Sequence, residues 1–251
     1  MLREDTVFGP IFSRRLGSSL GINLLPREGK ICSFDCIYCE CGWNRDGLAD
    51  KRIPSADEVR FALEAKLRGL AEQHTKIDSI TFSGDGEPTL NPEFPRIIDD
   101  TLGLRDRYCP GTKVSVLSNA TRVHIPEVLR ALRKVDNPIM KIDAPTDELV
   151  QKINRPAPGY SLQRVVEALR GFEGDFVLQT MFLSCPYFDS SSPEVLDGWK
   201  RIVRELRPRG IMVYTIDRPT PEQGLEKFSG ERMRELVADL IEEGFDISIS
   251  G

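Results

Sequence analysis

Ile77-Asp78-Ser79-Ile80-Thr81-Phe82-Ser83-Gly84-Asp85-Gly86-Glu87-Pro88-Thr89 is the stretch on which the fold turns. A short apolar, β-branched run stops at a glycine-rich polar turn, and an amphipathic stretch follows near 93 to 105. Such a pattern reads as a strand feeding a helix. Outward from it the same unit recurs. Apolar runs lie at Leu20 to Leu25, Val114 to Leu117, Ile139 to Ile142, Phe176 to Leu183, Ile211 to Ile216 and Phe245 to Ile249. Amphipathic stretches near 56 to 72, 125 to 134, 161 to 171, 193 to 206 and 230 to 243 separate them. Near-continuous apolar strands with helical crossovers require a parallel sheet covered by helices. About six βα units fit, fewer than the eight of a closed barrel. The expected fold class is therefore α/β: a partial (β/α)6 TIM-like barrel, parallel strands with outer helices.

Local signals set the register. Ser55-Ala56-Asp57-Glu58 after Pro54 is a capping box ahead of Val59, Ala62, Leu63, Lys66 and Leu70, which predicts a helix from 56. Gly171, Gly210 and Gly244 each end a helical pattern before a strand, as left-handed terminators do. No internal repeat or long Pro/Ser-rich linker divides the chain, so residues 1–251 read as a single domain. Residues 1–19 form an N-terminal extension. The stretch from Pro26 to Pro54 is too long for an ordinary βα loop and is marked as functional.

Composition narrows the class. The 251 residues are 40% hydrophobic and 29% charged, enough to bury a substantial core. Lys+Arg 34 against Asp+Glu 39 gives a net charge of -5, which excludes a surface built throughout for nucleic acid. No apolar run approaches the roughly 18 residues of a membrane span. The opening Met1-Leu2-Arg3-Glu4-Asp5 is unlike a secretory signal, so a cytoplasmic location is expected. Six cysteines, three between positions 32 and 39, suggest metal or redox chemistry rather than a disulfide framework.

Those three stand in Cys32-Ser33-Phe34-Asp35-Cys36-Ile37-Tyr38-Cys39. Three thiolates on a cubic four-iron cluster leave one iron open to a ligand. A structural zinc site would need a fourth ligand, for which Cys41 is near, while His74 and His124 are distant in sequence. Cys109 and Cys185 read as structural thiols.

The cysteine spacing, with Tyr38 just before the last thiol, resembles the radical S-adenosylmethionine (SAM) superfamily. That resemblance implies a [4Fe-4S] cluster on Cys32, Cys36 and Cys39, with the amine and carboxylate of SAM completing the fourth iron. The turn Gly84-Asp85-Gly86-Glu87 resembles the glycine-glycine-glutamate motif that receives the SAM ammonium, with Gly-Asp-Gly-Glu as a local departure. By the same resemblance Tyr38, Gly84, Asp85, Gly86, Glu87, Ser118, Asn119 and Asp143 are cofactor-binding candidates, and Lys141 is a further candidate for the carboxylate. Ser118 and Asn119 read equally as helix caps. Gln179 and Tyr214 are candidates to face the cavity or to be satisfied core residues. Residues 26–54 become the cluster-binding loop, and 55–251 the remaining βα units.

Gly9-Pro10, Ser13-Arg14-Arg15, Asp143-Ala144-Pro145 and Asn154-Arg155-Pro156 resemble the branch grouped with the wyosine synthases, without that branch's upstream cysteines. The activity implied is reductive SAM cleavage to a 5′-deoxyadenosyl radical that takes hydrogen from a substrate, with flavodoxin or ferredoxin as electron donor. tRNA-base modification, glycyl-radical activation and peptide or small-molecule modification are the substrate classes. A zinc-binding structural or interaction protein is the alternative of another kind. Arg14, Arg15, Arg45, Lys51 and Arg52 flank the cysteines, but Asp46 and Asp50 interleave with them, as on a solvated mixed-charge face. Trp43 and Phe34 read as pocket or packing residues.

Overall fold

The structure is a computed structural model that describes residues 5–13, 15–27, 29–47 and 51–251. Arg14 and Asp50, named above among the charged flanks, lie outside the described residues. The chain forms two compact units, the first comprising Met1–Cys32, Asn44–Ser118 and Ile125–Pro138, the second Ser33–Trp43, Asn119–His124 and Ile139–Gly251.

In the first unit, β1 (Val7–Ser13) pairs antiparallel with β2 (Gly17–Ile22). Strands β3 (Ser79–Phe82) and β4 (Lys113–Ser118) then add in parallel. The crossovers carry α1 (Ala56–Glu72) and α2 (Phe94–Tyr108), and α3 (Pro126–Leu132) follows β4. Helix α1 begins where the capping box predicts: Ser55 Oγ accepts from the Glu58 N–H, and the Glu58 carboxylate accepts from the Ser55 N–H. Its buried stripe is Ala56, Val59, Leu63, Leu67 and Leu70. Each such leucine stabilises the fold by about 1.5–3 kcal/mol relative to an exposed one. Residues 7–13, within the N-terminal extension, form an edge strand that the sequence reading did not include. The sequence hides it because Gly9-Pro10 interrupts the run and much of its surface stays open, with Phe12 83% exposed.

In the second unit, counted from Ile139, strands β5 (Asn137–Lys141) and β6 (Val177–Met181) are parallel. Helices α4 (Asp147–Ile153) and α5 (Leu162–Leu169) fill the crossover between β5 and β6. A short antiparallel trio follows, in which β7 (Leu183–Cys185) lies between β8 (Phe188–Asp189) and a later β10 (Glu226–Lys227). Helix α6 (Pro193–Leu206) leads to β9 (Gly210–Tyr214), and α7 (Gly230–Leu236) and α8 (Ala238–Glu242) lead to β11 (Ile247–Ser250). β9 is parallel to both β6 and β11. The register sets Lys141 beside Gln179, Gln179 beside Met212 and Met212 beside Ser248, so these four share one face of the strands. On the other face Thr180 ties the layers together: its hydroxyl donates to the Ile142 carbonyl at 2.8 Å and accepts from Trp199 Nε1 at 2.9 Å.

Three local expectations are corrected. The run Phe176 to Leu183 breaks at Phe182 into β6 and β7. The stretch 230 to 243 breaks at Val237, whose backbone (φ -111°, ψ 11°) is outside the helical well, into α7 and α8. Gly244 is left-handed (φ +90°) as expected, but Gly171 sits inside a 3-10 turn and Gly210 opens β9. Glu173 and Arg207 take the left-handed positions instead. The two turns lock each other, because the Arg209 N–H donates to the Gly174 carbonyl at 2.8 Å. Helix α4 was not foreseen: its apolar residues Leu149, Val150 and Ile153 span barely two turns before Pro156. Among the described residues, no helix is long and apolar enough to cross a membrane.

Candidate functional site

The first unit carries Cys32 and the Gly84 to Glu87 turn. Asn23, at the end of β2, organises this turn. Its Oδ1 accepts from the Asp85 N–H and the Leu25 N–H, both at 3.1 Å, and its Nδ2 donates to Asp85 Oδ2 at 3.0 Å. Asp85, with no exposed surface, is thereby paired with an amide. The segment before Cys32 is laced to the same turn: the Ile31 N–H donates to the Asp85 carbonyl and the Glu87 N–H to the Ile31 carbonyl, each at 3.1 Å. Both glycines are demanded by these approaches. A methyl group at Gly84 would overlap Asn23 Oδ1, and one at Gly86, where φ is +138°, would overlap the Ile31 carbonyl oxygen.

Glu87 is 2% exposed. Its Oε1 accepts from the Thr89 N–H (3.1 Å), the Thr89 hydroxyl (2.6 Å) and the Ser118 hydroxyl (2.9 Å). Ser118, at the end of β4, therefore meets Glu87 rather than capping a helix. Asn91 closes the long loop, its Nδ2 donating to the Leu24 carbonyl (3.2 Å) and the Pro54 carbonyl (2.9 Å). The Cys32 carbonyl accepts from Asn44 Nδ2 at 3.2 Å.

The second unit carries Cys36, Tyr38 and Cys39. Two consecutive turns close here, Cys39 N–H to Cys36 carbonyl (3.1 Å) and Gly42 N–H to Cys39 carbonyl (3.0 Å). The loop is stitched to the end of α4: Asp35 N–H to Asn154 carbonyl (2.8 Å), Ile37 N–H to Ile153 carbonyl (3.0 Å) and Ala157 N–H to Ser33 carbonyl (2.8 Å). Asn119 supports it from another side, its Nδ2 donating to Ser33 Oγ at 2.8 Å while its Oδ1 accepts from the Thr121 N–H and hydroxyl.

Beneath the cysteine turn lies a buried polar knot. The Tyr38 hydroxyl donates to Asp143 Oδ2, and Lys141 Nζ donates to the Tyr38 oxygen (3.2 Å) and the Tyr214 oxygen (2.5 Å). Lys141 Nζ is also 3.7 Å from Asp143 Oδ2, and the Met181 N–H donates to Asp143 Oδ1 at 2.9 Å. Asn154 Nδ2 faces Asp143 Oδ2 (2.7 Å), the Tyr38 oxygen (3.0 Å) and Cys36 Sγ (3.3 Å). Burial opposes the Lys141 ammonium, but Asp143 first, then Tyr214 and Cys36, hold it above the ordinary lysine range. Burial pushes the Cys36 thiol up to about 11, against the pull of Lys141 and the Asn154 hydrogen bond. Burial and the neighbouring Asp143 likewise push Tyr38 well above the usual phenol value. Gln179, 3% exposed and beside Lys141 in register, has a buried Nε2 with no hydrogen-bond partner among the described residues.

The remaining candidates are placed apart from these knots. Phe34 packs edge-on against Tyr160 at 5.5 Å, and Trp43 lies under the Arg155 guanidinium at 4.7 Å. Arg45 and Arg52 pair with Asp46 and Glu58, as a mixed-charge face does. His124 Nδ1 is 3.0 Å from the Thr121 carbonyl, and Cys109 caps α2. None of the six cysteines is in a disulfide. Among the described residues no three His, Cys, Asp or Glu side chains are gathered around a single-ion site. Sequence reading missed Asn23, Asn91 and the side chain of Asn154. The signal was there for Asn23, a lone amide in the apolar run Leu20 to Leu25.

Comparison with known proteins adds the lineage. A family model described as the radical SAM superfamily matches residues 29–176. A UPF0026 protein of Synechocystis is 31% identical over 223 residues, covering 86% of this chain and 77% of the relative. A UPF0026 protein of Methanocaldococcus jannaschii is 29% identical over 92% of this chain and 70% of its own length. A Brachyspira hyodysenteriae protein named GTPase Obg is also 29% identical over 92% of the chain, which spans only 33% of that relative. Among solved structures, a radical SAM methyltransferase from Sphaerobacter thermophilus superposes with a TM-score of 0.70 at 17% identity, covering 95% of this chain and 67% of that one. Streptococcus suis SuiB bound to S-adenosylmethionine gives 0.64 at 16% identity, covering 89% and 49%. TYW1 with a lysine-pyruvate adduct gives 0.65 at 13% identity, covering 92% and 76%. These likenesses bear out the expected α/β barrel class of parallel strands with outer helices.

Proposed function

The chain belongs to the radical SAM superfamily and to the UPF0026 proteins, and from that premise we propose that it cleaves S-adenosylmethionine reductively at a [4Fe-4S] cluster held by Cys32, Cys36 and Cys39. The observation that carries this reading is the setting of Cys36: a buried sulfur that faces the Asn154 amide donor at 3.3 Å, in a turn whose Tyr38 oxygen accepts from the Lys141 ammonium at 3.2 Å. A buried thiol that gives up its proton to a metal needs such compensation. The donor set fits a cluster. Each thiolate of a cubane binds a different iron, so the three sulfurs need not converge on one point as they would around a single zinc ion.

A [4Fe-4S] cluster held by Cys32, Cys36 and Cys39 would supply the electron for reductive cleavage of S-adenosylmethionine, the chemistry that would initiate hydrogen abstraction from a substrate. The chain's own residues bind and orient. Gly84 and Gly86 let the turn close on Asn23 and Ile31, which places Glu87 beside the strand ends. Ser118 fixes the Glu87 carboxylate in one rotamer, suited to receive the SAM ammonium. Asn119 steadies the residue after Cys32, and Lys141 supplies positive charge toward a carboxylate. Asp143, a cofactor-binding candidate, accepts from the Tyr38 hydroxyl and lies 3.7 Å from the Lys141 ammonium, and so orients both. An external one-electron donor such as a flavodoxin or ferredoxin supplies the electron, and the substrate is an organic molecule with an abstractable hydrogen, a tRNA base among them.

Anaerobic reconstitution tests the reading. About four irons per chain are expected. Dithionite with SAM then releases 5′-deoxyadenosine, and the electron paramagnetic resonance spectrum of the reduced cluster shifts when SAM is added. Full iron loading without SAM cleavage defeats the enzyme assignment. Colourless protein that holds zinc, and loses it on Cys41→Ala, establishes the structural-zinc alternative instead.

A further inference from the structure

Asn154 follows α4 and is 1% exposed, and the sequence marks it only as the first residue of Asn154-Arg155-Pro156. In the fold it holds the cysteine loop twice. Its backbone carbonyl accepts from the Asp35 N–H at 2.8 Å, and its side-chain amide reaches the Cys36 sulfur at 3.3 Å. The amide nitrogen has two hydrogens and faces three acceptors: Cys36 Sγ, Asp143 Oδ2 and the Tyr38 oxygen. The Tyr38 oxygen already accepts from Lys141 and gives its own proton to Asp143. The Tyr38 and Asp143 oxygens are hydrogen-bonded to each other and so lie side by side, where one amide hydrogen serves both, which leaves the other for Cys36.

The Asp143 bond fixes the amide plane. Asp143 is itself immobilised by the Met181 N–H on its other oxygen and by Tyr38 and Lys141 on the same one. The amide therefore cannot rotate away from the sulfur without giving up a charge-assisted bond. Hydrogen bonds to ligand sulfurs are among the determinants of an iron–sulfur potential, because the reduced cluster carries more negative charge and is stabilised more by an N–H donor. Such outer partners also orient the ligand itself.

We propose that Asn154 is a positioning residue which donates a side-chain hydrogen bond to the Cys36 sulfur and thereby raises the reduction potential of the cluster that sulfur binds. This rests on the cluster assignment above.

The test is a redox titration of the reconstituted full chain, followed by electron paramagnetic resonance, in wild type, Asn154→Leu and Asn154→Ser. Leucine matches the asparagine in size and removes the donor, whereas serine keeps a shorter one. With iron loading equal to wild type, the leucine variant shifts the reduction equilibrium about tenfold toward the oxidised form, which is a drop of about 59 mV for one electron. The serine variant falls between, and the reduced spectrum changes in both. Unchanged potentials and spectra at full loading overturn the inference and leave the cluster assignment intact. Variants that fold by far-UV circular dichroism but hold no iron also overturn it, since the residue would then build the loop and tune nothing. A wild-type chain that takes up no cluster refutes the assignment itself.

Discussion

Replacing Gly86 by alanine tests how the turn and the cysteine segment depend on each other. At φ +138° an L side chain is strained, which costs on the order of 1–3 kcal/mol. Its methyl group would also overlap the Ile31 carbonyl oxygen and come within 2.8 Å of Leu25 Cδ1. Relief requires Ile31 to move, and Ile31 holds two backbone hydrogen bonds to this turn, one to the Asp85 carbonyl and one from the Glu87 N–H. At about 1 kcal/mol each, their loss brings the total to about 3–5 kcal/mol. For a chain of this length that lowers the melting temperature by about 6–20 °C. Differential scanning calorimetry of the apo chain measures it. Gly103→Ala is the matched control, because that glycine lies inside α2 with none of the described residues within 4 Å of the added methyl. The control should be neutral or stabilised by up to about 1 kcal/mol. If Gly86→Ala melts with wild type, the tight approach of Ile31 is wrong. If it melts low but reconstitutes with full iron, the turn does not hold the segment leading to Cys32.

Lys141→Met leaves the buried Asp143 carboxylate without its cation and should cost about 3–5 kcal/mol in urea denaturation. The double variant with Asp143→Asn should recover part of that loss, and a neutral single variant would show that the pair does not compensate. Asp136 titrates below an ordinary aspartate: burial opposes this, but the Val114 N–H, Arg105 and Lys113 outweigh it. Its contribution is therefore complete above the unfolded value of about 3.9 and disappears as pH falls through the lower folded value. Asp136→Asn should flatten the acid limb of the stability curve below about pH 4 and leave its slope at neutral pH unchanged. Ser55→Ala removes the oxygen that caps α1 and should cost about 1 kcal/mol by chemical denaturation, while Ser55→Asp, which restores an acceptor, should recover most of it.

Much of the fold is written in local pattern. The strand that feeds Gly84, the capping box that starts α1 at Ala56 and the apolar runs at β4, β5, β6 and β9 follow from periodicity and cap chemistry, which depend on near neighbours alone. The cysteine triad and the Gly-Asp-Gly-Glu turn are equally local, so both stood out as site candidates from spacing and residue type. Edge strand β1 and short helix α4 were not, because partial exposure and a length of two turns leave little period to detect. The partners of the site residues needed the tertiary structure. Nothing along the chain shows that Asn154 meets a sulfur from position 36, that Asn23 clasps Asp85, or that Asp143 serves Tyr38 and Lys141. Sequence determined which groups this protein has for its chemistry and which strands carry them. Folding decided which of those groups are buried against one another, because desolvation and hydrogen bonding act across space between residues far apart in the chain.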